Sequence, residues 1–293
     1  MFIATLIATE ELQKGELSSA QDRLQEAGCS VGQTSSIIDR RVADIPFSAN
    51  PEAAKIVMSE IGGPIDFAVQ SSVNRKKKML ISDMDSTMIT VECIDELADY
   101  AGIKEDIAEI TERAMQGELD FEAALRERVH LLSGLETSAI EKCLREKVEI
   151  MPGAETLVRT MKEWGAHTVL VSGGFTSFAK PVSQAIGFES FFANVLGEKE
   201  GKLTGKLEGS IVDAERKQEL LRSIAVDQAI NLDQSLAVGD GANDIPMIKS
   251  AGMGVAYHAK AKAKAAADVA ISHNDLSALL YVQGVPSADW VCD

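Results

Sequence analysis

The chain has 293 residues, 45% of them hydrophobic and 25% charged, which is enough to bury cores in two domains and excludes wholesale disorder. Its 29 lysines and arginines against 45 aspartates and glutamates leave a formal charge of −16, which argues against a nucleic-acid binder and against polybasic attachment to a membrane. No apolar run approaches the roughly 20 residues that span a bilayer, and Cys29, Cys93, Cys143 and Cys292 form no CxxC pair, so reduced thiols in a cytoplasmic protein are expected.

In chain order, Phe2–Ala8 is apolar but short, with no basic residue ahead of it and Glu10-Glu11 behind. It reads as a strand, not as a secretion signal. Ser18–Glu26 has helical spacing and Gly28 as its stop, and Ile37–Ile45 reads as a strand. Pro51–Ile61 reads as a helix with proline near its first turn, and Ile65–Val73 as a last strand. This order predicts a small ferredoxin-like α/β domain over residues 1–74, which holds no cluster of chemical groups. The basic run Asn74–Lys78 reads as a solvated boundary between domains.

Beyond it the pattern changes. Met79-Leu80-Ile81-Ser82 breaks into Asp83-Met84-Asp85, Thr168-Val169-Leu170-Val171 into Ser172-Gly173-Gly174, and Ser235-Leu236-Ala237-Val238 into Gly239-Asp240-Gly241. Short apolar runs without alternation read as strands buried on both faces, hence parallel. Helical stretches such as Ala154–Trp164 and Ala214–Ala225 separate them, so the expected fold class is α/β, a doubly wound parallel sheet. In such sheets ligands bind beyond the carboxyl ends of the strands, where the three breakpoints would meet. Residues 91–149 read as helical without a strand, a cap inserted into a core formed by 79–90 and 150–293. Phe192–Val212 reads as a hairpin, and the Ala- and Lys-rich tract His258–Ala267 as a solvated helix.

Asp83 and Asp85 leave a strand end two positions apart. Such a pair can hold Mg²⁺, which prefers hard oxygens, or divide the work of nucleophile and general acid; the plain alternative is a cap for the next helix. Asp240 and Asp244, in Gly239-Asp240-Gly241-Ala242-Asn243-Asp244, bring two more acids to the same sheet edge, although alone they read as a common turn. Two strands that both donate carboxylates suit a divalent metal facing a phosphate. Ser172-Gly173-Gly174 offers backbone N–H groups and a hydroxyl at a helix N-terminus, suited to phosphate oxygens, or is a plain glycine turn. A further cation is needed, and Arg216 and Lys217 are indistinguishable in that respect. In the stretch Phe121, Leu125, Val129, Leu132, Arg128 falls beside the apolar face and Arg126 away from it, so Arg128 either clamps a carboxylate or makes a structural ion pair. Met115 and Phe121 read as cap core or pocket lining.

Taken in order, Asp83-Met84-Asp85-Ser86-Thr87, Ser172-Gly173-Gly174, Lys217 and Gly239-Asp240-Gly241-Ala242-Asn243-Asp244 resemble the four motifs of the haloacid-dehalogenase-like superfamily. The stretches Met115–Phe121, Leu125–Val129 and Val171–Phe175 point to its branch that acts on phosphoserine, and the likeness runs from about Met79 to Leu280. The resemblance implies a Rossmann-like core and hydrolysis of O-phospho-L-serine to L-serine and phosphate, the last step of serine biosynthesis. Asp83 would be the nucleophile, forming an aspartyl-phosphate, and Asp85 the general acid and base. Mg²⁺ would be held by Asp83, the backbone carbonyl of Asp85 and Asp240, with Asp244 in support. Ser172, the Gly173 amide and Lys217 would hold phosphoryl oxygens, Asn243 would position substrate, and Glu92 and Arg128 would read the amino and carboxylate groups. The partner implied is a small-molecule substrate. The N-terminal domain, loosely similar to amino-acid-binding ACT modules, is expected to regulate or to form a homodimer. Rival readings keep the fold with another small phosphorylated metabolite or phosphoryl acceptor, or make the chain a non-catalytic amino-acid sensor.

Overall fold

The elements follow one another as β1 (Phe2–Ala8), α1 (Lys14–Glu26), β2 (Ser30–Val31), β3 (Ser35–Ile38), β4 (Val42–Ser48), α2 (Pro51–Ser59) and β5 (Ile65–Ser71) in the first quarter of the computed structural model. Next come β6 (Met79–Ser82), four helices α3 (Cys93–Ala101), α4 (Lys104–Met115), α5 (Phe121–Leu131) and α6 (Ser138–Lys147), then α7 (Ala154–Glu163), β7 (His167–Phe175), α8 (Thr176–Ile186), β8 (Ser190–Lys199) and β9 (Lys202–Glu208). The chain closes with α9 (Ala214–Asp227), β10 (Ser235–Gly239), α10 (Ile245–Ser250), β11 (Met253–Tyr257), α11 (Ala261–Ala266), β12 (Val269–Ile271) and α12 (Ala278–Val282). The structure describes residues 1–33, 35–115 and 118–291; Gln116 and Gly117 of the expected motif stretch, the Met115 side chain and Cys292 lie outside the described residues.

The three apolar runs form neighbouring parallel strands. β6 lies between β10 and β7, with Ile81 level with Ala237 and Val169, and β11 and β12 extend the parallel set beyond β10. Alternate side chains face opposite layers. Leu80, Leu170 and Val238 pack with Leu157, Val158, Met161 and Phe178 of α7 and α8. Met79, Ile81, Val169, Val171 and Ala237 pack with Leu220, Leu221 and Met247 of α9 and α10. Both faces are covered, which is why these strands read as unbroken apolar runs. Each fully buried leucine or isoleucine contributes roughly 1.5–3 kcal/mol. β8 continues the parallel set and β9 folds back on it, giving the expected hairpin, with Glu200 and Gly201 at positive φ in the turn.

The same sheet runs on into the N-terminal quarter, in the order β2-β4-β1-β5-β12-β11-β10-β6-β7-β8-β9, with β3 on β4. β5 meets β12 antiparallel, with Phe67 level with Ala270. A carboxylate latches the joint: Asp66 accepts from the Ser272 and Asn274 backbone N–H groups (2.8 and 2.9 Å) and from Asn274 Nδ2 (2.9 Å).

Three local expectations change. Ile37–Ile45 is not one strand but the middle of a hairpin, because Asp39 and Arg40 both take positive φ (54° and 57°) between β3 and β4. The turn holds three residues, Asp39 to Arg41, and takes its positive φ values without the glycine that usually announces them. The basic run after β5 is not a solvated boundary. Arg75 bonds Asp44 and Thr5 on one side (2.8 and 3.0 Å) and the Val282 and Tyr281 carbonyls on the other (2.8 and 3.0 Å). Lys77 is 5% exposed, with its ammonium on the Asp233 carbonyl at 2.8 Å. Arg75 therefore rivets the halves together, and Lys77 anchors the connecting segment to the larger one. Finally, Ser172-Gly173-Gly174 ends β7 and precedes α8; the helix itself begins at Thr176.

Candidate active site

Asp83 continues β6 for one step beyond its last paired residue, its N–H donating to the Val238 carbonyl at 2.9 Å. The chain then turns sharply, with Ser86 at φ 54° and the Met88 N–H on the Met84 carbonyl at 2.8 Å. Asp83 is 4% exposed and its Oδ1 lies 2.7 Å from the Lys217 ammonium. Asp85 faces elsewhere: Oδ1 accepts the Cys93 N–H at 2.9 Å, and Oδ2 accepts the Ser172 hydroxyl at 3.3 Å. Cys93 opens α3, so the expected helix-capping alternative is also realised, at longer range.

Of the two adjacent cations, the structure selects Lys217. α9 buries it to 1% exposure and gives its Nζ to Asp83 and Asp244, both at 2.7 Å. Arg216 lies on the outer face and pairs with Glu219 at 3.1 Å. Asp244 is fully buried and also accepts the Gly241 N–H at 3.0 Å. Asp240 accepts from Thr87 at 3.4 Å, and the Asn243 amide reaches Asp83 Oδ2 at 3.4 Å. Close approach demands the glycines: a Cβ on Gly174 would stand 2.7 Å from Asp85 Oδ2, and one on Gly239 would overlap the Asp244 carboxyl.

Asp83, Asp240 and Asp244 each present a carboxylate oxygen, all within 4.8 Å of one another. Three carboxylates around one buried ammonium leave an excess of negative charge, which Lys260 offsets only in part at Asp240. Burial and Asp244 push the Asp83 carboxyl well up, against the pull of Lys217, and burial and Asp244 likewise raise Asp240. Burial disfavours the charge on Lys217, but Asp244 and Asp83 more than offset this and its pKa rises. A hard divalent cation would balance the set, and oxygen-only donors suit one. The Asp85 side chain is not part of that cluster. Burial raises its pKa too, opposed by its bonds from Cys93 and Ser172, which suits a group that must hold and release a proton.

The cap helices supply the rest. Phe121, at the start of α5, lies over the phosphate-loop candidate, its Cζ 3.2 Å from where a Gly173 Cβ would stand. Arg128 is half-buried on α5, with Nε on the Ala124 carbonyl at 3.3 Å, whereas Arg126 is exposed and pairs with Glu122 at 2.8 Å. Burial lowers the Arg128 pKa; Asp95 and then Glu92 oppose this. Glu92, the N-cap residue of α3, accepts the Ser86 hydroxyl at 2.6 Å and remains partly open to solvent. Loss of hydration in the cleft, with Asp85 nearby, pushes its carboxyl up to about 7.

Residues 80–249 match the family model of the haloacid dehalogenase-like hydrolases, more than half of the chain. The chain is a haloacid dehalogenase-like hydrolase. This hydrolase is 41% identical over 225 residues to phosphoserine phosphatase of Archaeoglobus fulgidus, which covers 76% of this chain and 65% of that one. Against phosphoserine phosphatase of Streptomyces coelicolor it is 36% identical over 270 residues, 90% of this chain and 66% of that one. The hydrolase thus spans about two thirds of the length of these two relatives. A crystal structure of a probable phosphoserine phosphatase from Vibrio cholerae superimposes with a TM-score of 0.79 at 31% identity, covering 98% of this chain and 87% of that one. No helix among the described residues of the hydrolase is long and apolar enough to cross a membrane.

The sequence could place neither Thr87 on Asp240 nor Asn194, whose side chain bonds the Gly173 carbonyl at 2.8 Å. Thr87 stands in the first motif without a role attached to it, and Asn194 lies in the middle of β8, where nothing in the sequence pattern marks it.

Proposed function

We propose that this hydrolase converts O-phospho-L-serine to L-serine and phosphate, with Mg²⁺, through a phosphorylated Asp83. The observation that carries the reading is the pair Asp83 and Asp85 at one strand end with different partners: Asp83 is held by a buried ammonium, Asp85 by a neutral N–H and a hydroxyl. Groups so differently placed suit different tasks. Asp83 attacks phosphorus while Asp85 gives its proton to the departing seryl oxygen. The same Asp85, now a carboxylate, takes a proton from the water that cleaves the aspartyl-phosphate. Ser172, the Gly173 N–H and Lys217 hold the phosphoryl oxygens. Asp83, the Asp85 carbonyl and Asp240 hold Mg²⁺, steadied by Asp244; the cation supplies positive charge that lowers repulsion between phosphate and carboxylate.

Glu92 and Arg128 read the ammonium and carboxylate of the substrate. An acid and a base facing one cleft favour a zwitterion over a sugar phosphate, because the wrong ligand leaves a charge unpaired. Residues 91–149 act as a cap over a core made of 79–90 and 150–293. Residues 1–74 form an ACT-like, ferredoxin-like unit, a reading supported by the order β2-β4-β1-β5. The three described cysteines are buried and unpaired, which supports a cytoplasmic setting.

The test is phosphate release from O-phospho-L-serine, a sugar phosphate and p-nitrophenyl phosphate, with Mg²⁺ and with EDTA. Selective, EDTA-sensitive turnover of phosphoserine is expected; equal turnover of all three would reject the substrate reading.

A further inference from the structure

The register of β7 on β8 breaks where the phosphate loop begins. Val171 lies level with Phe192 and Phe175 with Asn194, so four residue steps on β7 answer two on β8. Ser172, Gly173 and Gly174 bulge from the ladder there. A bulged peptide has lost its strand partner, and a side chain replaces it: Asn194, 1% exposed, donates from Nδ2 to the Gly173 carbonyl at 2.8 Å. The other end of the amide is also used, Oδ1 accepting the Val212 N–H at 2.8 Å. Val212 directly precedes Asp213, which caps α9 by accepting the Arg216 N–H at 2.8 Å. α9 delivers Lys217. The partners fix the amide's orientation, since a carbonyl only accepts and an N–H only donates. No other uncharged side chain of this size meets both demands in one plane.

We propose that Asn194 is a positioning residue for the phosphoryl group. One buried amide sets the distance between the Ser172–Gly174 bulge and the helix carrying Lys217, so that the Gly173 N–H and the Lys217 ammonium converge on the same phosphoryl group. The inference rests on the reading of Ser172, Gly173 and Lys217 as its holders. Asn194→Asp keeps the volume and can still accept from Val212, but it sets a carboxylate oxygen against the Gly173 carbonyl and pushes the bulge away. Asn194→Ala releases both contacts.

The experiment uses the full chain with Mg²⁺ and inorganic phosphate as the probe, read by titration calorimetry. Melting temperatures and steady-state kinetics on O-phospho-L-serine and p-nitrophenyl phosphate accompany it. Both variants are expected to bind phosphate at least about tenfold more weakly and to lose roughly 10²-fold in kcat/KM, as a displacement of the order of 1 Å does. The loss is equal on both substrates, because they share only the phosphoryl group. Unchanged phosphate affinity in folded Asn194→Asp overturns the proposal, as does a loss confined to phosphoserine. Should Asn194→Ala fail to fold, Asn194→Asp and Asn194→Ser carry the test. If wild-type protein binds phosphate and turns over p-nitrophenyl phosphate but not phosphoserine, the substrate reading fails while the positioning role is still read from phosphate affinity.

Discussion

Replacing Lys217 by methionine isolates the charge at the centre of the site, since methionine keeps an unbranched apolar stem. The ammonium is 1% exposed and makes 2.7 Å bonds to Asp83 and Asp244, of which Asp244 is fully buried. Hydrogen bonds to charged groups contribute roughly 1.5–3 kcal/mol each, and removing one partner of a buried ion pair costs about 3–5 kcal/mol because the other charge is stranded. Two such bonds on one cation place the expected loss in EDTA at about 3–5 kcal/mol. At about 2–4 °C per kcal/mol for a larger domain, that is a drop of roughly 10 °C in melting temperature. Activity should fall by about 10²–10³ in kcat, the usual effect of losing one preorganised positive contact. Calorimetric melting of wild type and Lys217→Met, first in EDTA and then in Mg²⁺, checks the reasoning. Added Mg²⁺ should recover part of the lost stability, because it brings positive charge to the same carboxylates. A variant that melts with wild type in EDTA would refute the claim that this ammonium holds the acids together.

Asp83→Asn should leave no labelled phosphoenzyme in acid-quenched reactions, whereas Asp85→Asn should slow both its formation and its hydrolysis by about 10²–10⁴; normal turnover in either variant removes that residue's role. Glu92, pushed up to about 7, is ionised above that pH and neutral below it, so it attracts a substrate ammonium only on the alkaline side. KM for phosphoserine should therefore rise as the pH falls through 7, while KM for p-nitrophenyl phosphate does not, and Glu92→Gln should flatten the difference; parallel profiles for the two substrates in wild type count against it. Arg75→Met removes the ion pair with Asp44, which keeps the Thr5 hydroxyl at 2.6 Å, and should cost about 1.5–3 kcal/mol of stability. Thermolysin digestion should then cut between the N-terminal quarter and the remainder more quickly, and an unchanged digestion rate would show that the joint does not depend on this cation.

The parallel core was legible because burial on both faces leaves a simple trace, an apolar run ending in acid or glycine. Met79–Ser82, Thr168–Val171 and Ser235–Val238 all lie within strands of the sheet. The acids were legible because they follow strand ends directly. The hairpin at Asp39-Arg40 was not, since its positive φ values come without glycine, and the charged break Asp39-Arg40-Arg41 alone does not mark a turn. Arg75 and Lys77 misled for a different reason: charge runs are usually hydrated, and their burial depends on acceptors at Asp44, Asp233, Tyr281 and Val282, distant in sequence. Between Arg216 and Lys217 the local pattern offered no choice and only the resemblance named Lys217; the phase of α9 accounts for it, fixed by the Asp213 cap. Asn194 escaped notice because an amide bridging two backbone groups leaves no periodic mark.

The seam at Phe67 and Ala270 bears on how the protein can be dissected. A fragment starting at Met79 would strip β5 from β12 and with it the Asp66 carboxylate that occupies the backbone donors of Ser272 and Asn274. Val269–Ile271 would become a raw rim, with main-chain groups ready to recruit a neighbouring molecule. Self-association of such a fragment would reflect surgery on a shared sheet and say nothing about the oligomeric habit of the intact chain.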